Sequence, residues 1–337
     1  MSRSSCSPDS LSSVSHDLPS DASHALPTDA DAGSALSWAL GLLAGAEVDT
    51  PRLDAELLLC HALGWTRASL YAHPERLLSK EESERLRRLI GRRVQREPLA
   101  YLTKRKEFYG LEFLVDRRVL IPRPETELLV ELAVARLRAM LRAMLPAMLR
   151  TDPAPIVADV GTGCGAIAVS VAIQIPTAKV YALDVSPEAL EVARVNCQRH
   201  GMMRHGMTRH GVAGRVELLR GDLLEPLGER VDLVLANLPY IARSEFATLQ
   251  PEIVEYEPRV ALDGGQDGMD GIRCLLEQAS EHLAPGASIM LEIGSDQGAV
   301  GRVLADRFFP NARIEVHPDY AGHDRVLEID TAVSTGG

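Results

Sequence analysis

The sequence predicts an α/β protein: a doubly wound, mostly parallel sheet preceded by a small N-terminal helical domain. Three observations predict it. From Ile156 onward, apolar runs of strand length alternate with helical runs. Such alternation gives a parallel sheet with right-handed crossovers. The loop Gly161-Thr162-Gly163-Cys164-Gly165 follows one of these strands and opens a helix. Val231 to Ala236 is short, apolar and partly β-branched, the pattern of a strand buried on both faces. It stops at Asn237-Leu238-Pro239-Tyr240. Asn competes with the backbone for hydrogen bonds and Pro donates none to a ladder, so the strand ends there. In open α/β sheets, ligands bind at that end of the strands.

Composition bounds the function. The chain has 337 residues, 46% of them hydrophobic, enough for a full core and two domains. A net charge of −11 and a pI near 5.4 argue against a bulk nucleic-acid binder. Cys6, Cys60, Cys164, Cys197 and Cys274 are scattered, with no CxxC pair. A disulfide framework or zinc site is not expected, and a cytoplasmic location is. No apolar run is long enough to span a bilayer.

Residues 1–34 are rich in Ser, Asp, Ala and Pro, and are read as a disordered tail with no signal-peptide pattern. Residues 35–106 read as the helical domain. Leu36, Ala39, Leu40 and Leu43 form one apolar stripe. A second helix over 54–63 starts at Thr50-Pro51, with a capping Thr and a first-turn Pro. A third, over 81–95, turns Leu86, Leu89, Ile90 and Val94 inward and its Arg residues outward, as a solvated face. Residues 107–120 alternate loosely around one Gly and read as a linking β-hairpin. Ile121-Pro122-Arg123-Pro124 is a stiff extended turn, and Glu125-Thr126-Glu127 open the next helix with acids at its positive end.

That helix runs into the tandem repeat LRAM-LRAM-LPAM-LR, where Pro146 should break it. A second repeat over 199–213 spaces His200, His205 and His210 equally. With no carboxylate or Cys nearby, it reads as a repeat expansion, and no metal is expected. Strands are then expected at 156–160, 179–183, 215–219, 231–236 and 288–293, with helices at 166–174, 187–198 and 296–308. A closing hairpin, 313–316 with 325–329, would add an antiparallel edge.

The glycine loop lets the chain turn sharply and lets a ligand approach the backbone. Asp184 ends the next strand, about twenty residues on, where an acid can hold a ribose diol. Asp222 follows the third strand and could face an adenine edge. Together these strand ends suit a nucleoside. The residues leave two ligands open: a dinucleotide for hydride transfer, or S-adenosylmethionine for methyl transfer.

At this point the motifs resemble a known family. Asp159-Val-Gly-Thr-Gly-Cys-Gly-Ala-Ile-Ala168 is similar to the first motif of class I S-adenosylmethionine-dependent methyltransferases, which are Rossmann-like. Asn237-Leu-Pro-Tyr240 resembles their Asn-Pro-Pro-Tyr motif. Ile121-Pro-Arg-Pro-Glu-Thr-Glu127 and Glu257-Pro-Arg-Val-Ala-Leu-Asp-Gly-Gly-Gln-Asp-Gly268 are more specific. Together they resemble the peptide chain release factor N5-glutamine methyltransferases, the HemK/PrmC family. The resemblance covers about Ser34 to Ile329 and implies a catalytic domain over 121–332, with residues 35–106 as a substrate-binding domain. It implies S-adenosyl-L-methionine as cofactor, held by Gly161, Thr162, Gly163, Cys164, Gly165, Asp184, Asp222, Leu223 and Asn237. It implies class 1 release factors as protein substrate, methylated at the glutamine of Gly-Gly-Gln. No membrane or direct nucleic-acid contact is expected, and a monomer is.

In that family the Asn side chain and the next carbonyl accept the two amide hydrogens of the substrate glutamine. Carried over, Asn237, Pro239 and Tyr240 are the catalytic set, and Asn237, Leu238, Pro239 and Tyr240 bind substrate. Leu238 stands where the family commonly has Pro, and a Leu carbonyl accepts as well. Asn-Leu-Pro-Tyr also resembles the motif of ribosomal RNA adenine dimethyltransferases, so an N6-adenine methyltransferase is the alternative. A catalytically silent binding module is a third reading. Gly264-Gly265-Gln266 matches the family's own target, but these glycines belong to the family's Ala-Leu-Asp-Gly-Gly pattern.

Overall fold

The computed structural model describes residues 26–144, 154–201 and 211–332. By its internal contacts the chain divides into two units, one ending at Thr103 and the other beginning at Lys104. No helix among the described residues is long and apolar enough to cross a membrane.

Among the described residues, the first unit packs five helices: α1 (Ala32–Gly45), α2 (Pro51–Leu63), α3 (Arg67–Ala72), α4 (Lys80–Val94) and α5 (Leu99–Thr103). Leu43, Leu58, Leu59, Leu86 and Ile90 are fully buried between them. Each start has a local cause. Asp31 accepts the Ser34 N–H at 2.7 Å and caps α1. Ser79 and Glu82 form a capping box at α4. Packed structure starts earlier than the composition suggested: Leu26 and Ala30 are buried, and the Leu78 N–H donates to the Ala30 carbonyl. Residues 26–34 thus belong to the helical unit rather than to a tail, and residues 1–25 lie outside the described ones.

Two readings of this unit are corrected. Pro51 does open α2, but Thr50 makes no side-chain cap; its hydroxyl donates to the Asp54 carboxylate at 2.8 Å. The Arg residues of α4 are not simply solvated. Arg93 is buried and pairs with the buried Asp54 at 2.7 Å. Arg92 pairs with Glu97, and Arg85 and Arg87 donate to the Ala62 and Leu26 carbonyls. A guanidinium presents five donors, so a carbonyl at a helix end or an internal acid captures it.

The second unit opens with a short hairpin, β1 (Lys106–Phe108) and β2 (Leu111–Phe113), narrower than the expected span, and then α6 (Thr126–Met144). The predicted break at Pro146 lies outside the described residues. The sheet follows in βα units: β3 (Ile156–Val160), α7 (Ala166–Gln174), β4 (Lys179–Asp184), α8 (Pro187–Gly201), the turn α9 (Val212–Arg215) and β5 (Val216–Arg220). Then come β6 (Val231–Ala236), α10 (Pro251–Tyr256), α11 (Asp270–His282), β7 (Leu283–Glu292), α12 (Gly298–Phe308), β8 (Arg313–Pro318) and β9 (Asp324–Asp330).

The seven strands lie in the order β5-β4-β3-β6-β7-β9-β8. Their pairings are parallel except at β9, which runs antiparallel to both neighbours. The antiparallel strand is therefore inserted next to the edge rather than forming it. The chain winds outward from β3 through β4 to β5, then returns to place β6 on the other side of β3. That reversal makes a topological switch point outside the C-terminal ends of β3, β4 and β6, where a crevice opens.

Candidate active site

Register places the site. Val160 pairs with Leu183 on one side and Ala236 on the other. The next residue of each strand is therefore Gly161, Asp184 and Asn237, side by side at the switch point. A cavity there is lined by Gly161, Gly163, Asp184, Asp222, Leu223, Asn237, Leu238 and Pro239. Leu183, Val185, Ala189, Pro258 and Val260 supply apolar wall. Of the residues singled out from the sequence, Thr162, Cys164, Gly165 and Tyr240 do not line this cavity.

The glycine loop is held from below. The Gly161 and Thr162 N–H groups both donate to the Leu183 carbonyl at 2.9 Å. The Asp159 carboxylate accepts the Thr162 hydroxyl at 2.6 Å and the Ala168 N–H at 3.0 Å. Asp159 is fully buried, and burial pushes its carboxyl up to about 7 against the pull of those two donors. Thr162 thus anchors the loop rather than facing the cavity. Cys164 is buried, and burial pushes its thiol up to about 12, which leaves it an inert packing residue. Gly161 has φ +73°, and a Cβ there would stand 3.2 Å from Leu238 Cδ2. A side chain would both strain the turn and fill the crevice.

Asp184 sits at the cavity's second corner. One carboxylate oxygen accepts the Gly163 N–H and the other the Ser186 N–H, each at 2.9 Å. Each oxygen keeps a further lone pair that can accept a hydroxyl. Burial raises its pKa above the ordinary carboxylate value despite these donors. Leu223, beside Asp222, takes a left-handed backbone at φ +49°. Acid at the end of β4, glycines at the end of β3 and apolar walls between them fit a nucleoside bearing a ribose diol.

The third corner is the loop after β6. Leu238 is buried, with its side chain beside the glycine loop and Gly271. Asn237 Nδ2 donates to Thr126 Oγ1 at 3.1 Å. Tyr240 turns away from the cavity, and its phenol donates to Glu292 Oε1 at 3.3 Å. Burial, and then the Glu292 charge, raise the phenol's pKa. Asn237, Leu238 and Tyr240 also line a second, smaller cleft with Leu120, Arg123 and Ile241.

Residues outside the predicted site set hold the loops of this region in place. Gln297 Nε2 donates to the Tyr240 carbonyl at 2.9 Å. Gly264 lies so close that a Cβ would come within 2.8 Å of the Pro239 carbonyl and the Tyr240 backbone. Glu257, buried, accepts from Arg123 and from the Ile121 N–H, tying the two family-specific stretches together. Asn196, also buried, spends its amide on the Leu114 backbone and the Cys164 carbonyl. Gln297 and Asn196 had no local pattern; Glu257 and Gly264 lie in a stretch the sequence singled out, but only long-range packing reveals what they hold. Of the repeat histidines, His200 packs on Phe113 and its Nε2 lies 2.9 Å from the Glu112 carbonyl oxygen. His205 and His210 lie outside the described residues.

The chain is similar to known proteins over both units. Residues 34–103 match the family described as PrmC N-terminal domain, and residues 140–266 the family described as methyltransferase small domain. A release factor glutamine methyltransferase of Moorella thermoacetica is 44% identical over 294 residues, 86% of this chain and 95% of that protein. One of Geobacter sulfurreducens is 42% identical over 263 residues, 78% of this chain and 84% of that protein. A solved structure of a release-factor-specific protein-(glutamine-N5) methyltransferase from Alicyclobacillus acidocaldarius is 26% identical, with a TM-score of 0.33 over 63% of this chain and 94% of that one. With relatives of this identity covering most of its length, the chain belongs to the release factor glutamine methyltransferase family.

Proposed function

We propose that this protein transfers a methyl group from S-adenosylmethionine to the side-chain amide nitrogen of the glutamine in the Gly-Gly-Gln motif of class 1 release factors. The observation that carries the reading is the shared cavity. Gly161, Gly163 and Asp184 line it from one side, and Asn237, Leu238 and Pro239 from the other. When bound, S-adenosylmethionine supplies an electrophilic methyl group on a sulfonium centre. Gly161 and Gly163 would leave room for it at the backbone, Asp184 would accept its ribose hydroxyls, and Asp222 and Leu223 would bound its base.

The chain's own task is the nucleophile. An amide nitrogen is poor because its lone pair is delocalised into the carbonyl. Asn237 Oδ1 and the Leu238 carbonyl accept its two hydrogens and hold the nitrogen toward the methyl. Positioning of this kind supplies roughly 7–11 kcal/mol. The same acceptors favour the positive charge that grows on nitrogen. Pro239 stiffens the turn. Tyr240 bounds the smaller cleft next to Asn237, which suits the flat glutamine side chain. The proton leaves after transfer, so no strong base is required.

The helical unit is read as part of the release-factor contact, given its likeness to the PrmC N-terminal domain. We place the reaction in the cytoplasm, where release factors act, with the protein a monomer that makes no direct contact with nucleic acid. Labelled S-adenosylmethionine offered with a release factor tests the reading. Label should enter the wild-type factor and not one whose Gly-Gly-Gln glutamine is changed to Ala; equal labelling of both would overturn it.

A further inference from the structure

Gln297 is the residue from which α12 starts, and it is buried. At such a position a polar side chain usually accepts an N–H of its own helix. The Gln297 side chain makes no such bond. Its amide reaches out of the helix instead. Oε1 accepts the Gly294 N–H at 2.8 Å. Nε2 donates to the Tyr240 carbonyl at 2.9 Å and, more loosely, to the Gly268 carbonyl at 3.5 Å.

A carboxamide offers two N–H donors and one acceptor oxygen. Here the oxygen meets an N–H and the NH₂ meets two carbonyls, so one orientation of the amide fits. Turned over, it would set donor against donor and acceptor against acceptor. One side chain therefore joins three segments: the turn after β7, the Asn237 loop, and the stretch that ends at Gly268. Gly268 lets them close, since a Cβ there would collide with the Tyr240 carbonyl oxygen and with Gln297 Nε2.

The Leu238 carbonyl receives no backbone N–H among the described residues. An acceptor kept for a substrate cannot be pinned by a protein donor, because that donor would compete with the substrate amide. Its direction has to be fixed through its neighbours. Tyr240 is two residues on, and Pro239 between them has a fixed φ. A donor that holds the Tyr240 carbonyl thus acts on the Leu238 carbonyl without occupying it. We propose that Gln297 is a positioning residue for methyl transfer, which by holding the Tyr240 carbonyl aims the Leu238 carbonyl and the Asn237 side chain at the substrate amide. This rests on the reading of Asn237 and Leu238 as substrate acceptors.

The test is steady-state methylation of a release factor by the wild type, Gln297→Leu and Gln297→Glu, with kcat followed across neutral and mildly acid pH and cofactor affinity measured by calorimetry on each. Gln297→Leu keeps the bulk and loses all three bonds. Its kcat should fall roughly 10- to 100-fold, as expected for misaimed groups. Its cofactor affinity should be unchanged, because Gln297 does not line the cofactor cavity. Gln297→Glu separates aiming from packing. Ionised, the new carboxylate can only accept, and it faces two carbonyls. Protonated, it regains one O–H for Tyr240 and keeps an oxygen for the Gly294 N–H. Burial and the two carbonyls should raise that carboxyl above its ordinary value. The charged groups on the open cleft that Gln297 and Tyr240 share are Glu245, Asp296 and Arg325. The kcat of Gln297→Glu relative to wild type should therefore recover as pH falls, while that of Gln297→Leu stays low throughout. Wild-type kcat in Gln297→Leu, a Gln297→Glu ratio that does not move with pH, or cofactor affinity falling as far as kcat overturns the proposal and leaves the function standing. Where Gln297→Leu does not fold, the pH profile of Gln297→Glu decides. No transfer to glutamine by the wild type itself overturns the function, and the proposal with it.

Discussion

Arg123 and Glu257 stand 134 residues apart in the chain, and their side chains meet at 2.5 Å. Glu257 is buried and also accepts the Ile121 N–H at 3.2 Å. One ion pair therefore joins the extended turn before α6 to the segment after α10, on either side of the Asn237 loop. Burial raises the Glu257 pKa, and Arg123 opposes that rise.

Removing Arg123 should expose this balance. Arg123→Ala leaves Glu257 without its cation and should cost about 1–3 kcal/mol, below the range for a fully buried pair because Arg123 is partly exposed. The pH dependence has a definite sign. A carboxyl raised in the folded state loses stability as pH climbs above its unfolded value. In the variant it is raised further, so the deficit is largest near neutral pH and shrinks as acid protonates Glu257. Urea denaturation at several pH values checks this; a deficit independent of pH would contradict it.

Much of the framework was legible in the sequence, for local reasons. The glycine loop, Asp184 and the strand ending at Asn237 each carry their signal within a few residues, and the parallel register then sets Gly161, Asp184 and Asn237 in a row. What was not legible depends on distant partners. Arg93 read as solvated because nothing nearby announces Asp54, 39 residues away in sequence. Helix α11 escaped although Ile272, Leu275, Leu276 and Ala279 form its buried stripe, since the glycine-rich stretch before it drew the reading to motif rather than period. β9 lies inside the sheet because it pairs with both β7 and β8, and strand order is a tertiary fact.

The two acids proposed to shape the cofactor cavity should separate by experiment. Asp184→Ala should weaken S-adenosylmethionine binding roughly 10-fold or more, the worth of a charge-assisted hydrogen bond. Calorimetry reading wild-type affinity would count against the ribose contact.

Asp159 acts one layer below. The Thr162 hydroxyl and the Ala168 N–H both point at Asp159 Oδ2, so Asp159→Asn keeps an oxygen for them only by burying its NH₂ at the Oδ1 position, which has no partner among the described residues. We expect the loop to loosen and cofactor affinity to fall by roughly 10-fold or less. The change also removes a carboxyl raised to about 7. The wild type should lose stability as pH rises from about 4 to about 7, the span from the ordinary to the folded value. The variant should lack that component. Parallel melting curves of the two proteins across this window check it.

Gly264→Ala tests the buttress behind the Asn237 loop. The new Cβ would stand 2.8 Å from the Pro239 carbonyl and the Tyr240 backbone, neither of which is a flexible side-chain tip. Overpacking of this kind costs about 1–3 kcal/mol and should displace Asn237. We expect methyl transfer to fall far more than cofactor affinity. Full activity with an unshifted melting temperature would show that the contact relaxes at no cost.

The most direct measurement is intact-mass and peptide mass spectrometry of a release factor incubated with S-adenosylmethionine and either wild-type protein or Asn237→Ala. Wild type should add one methyl group, on the glutamine of Gly-Gly-Gln, and Asn237→Ala should add almost none while still binding the cofactor. Methylation of an added RNA with the release factor left unmodified, or full modification by Asn237→Ala, would contradict the assignment of this cavity to glutamine.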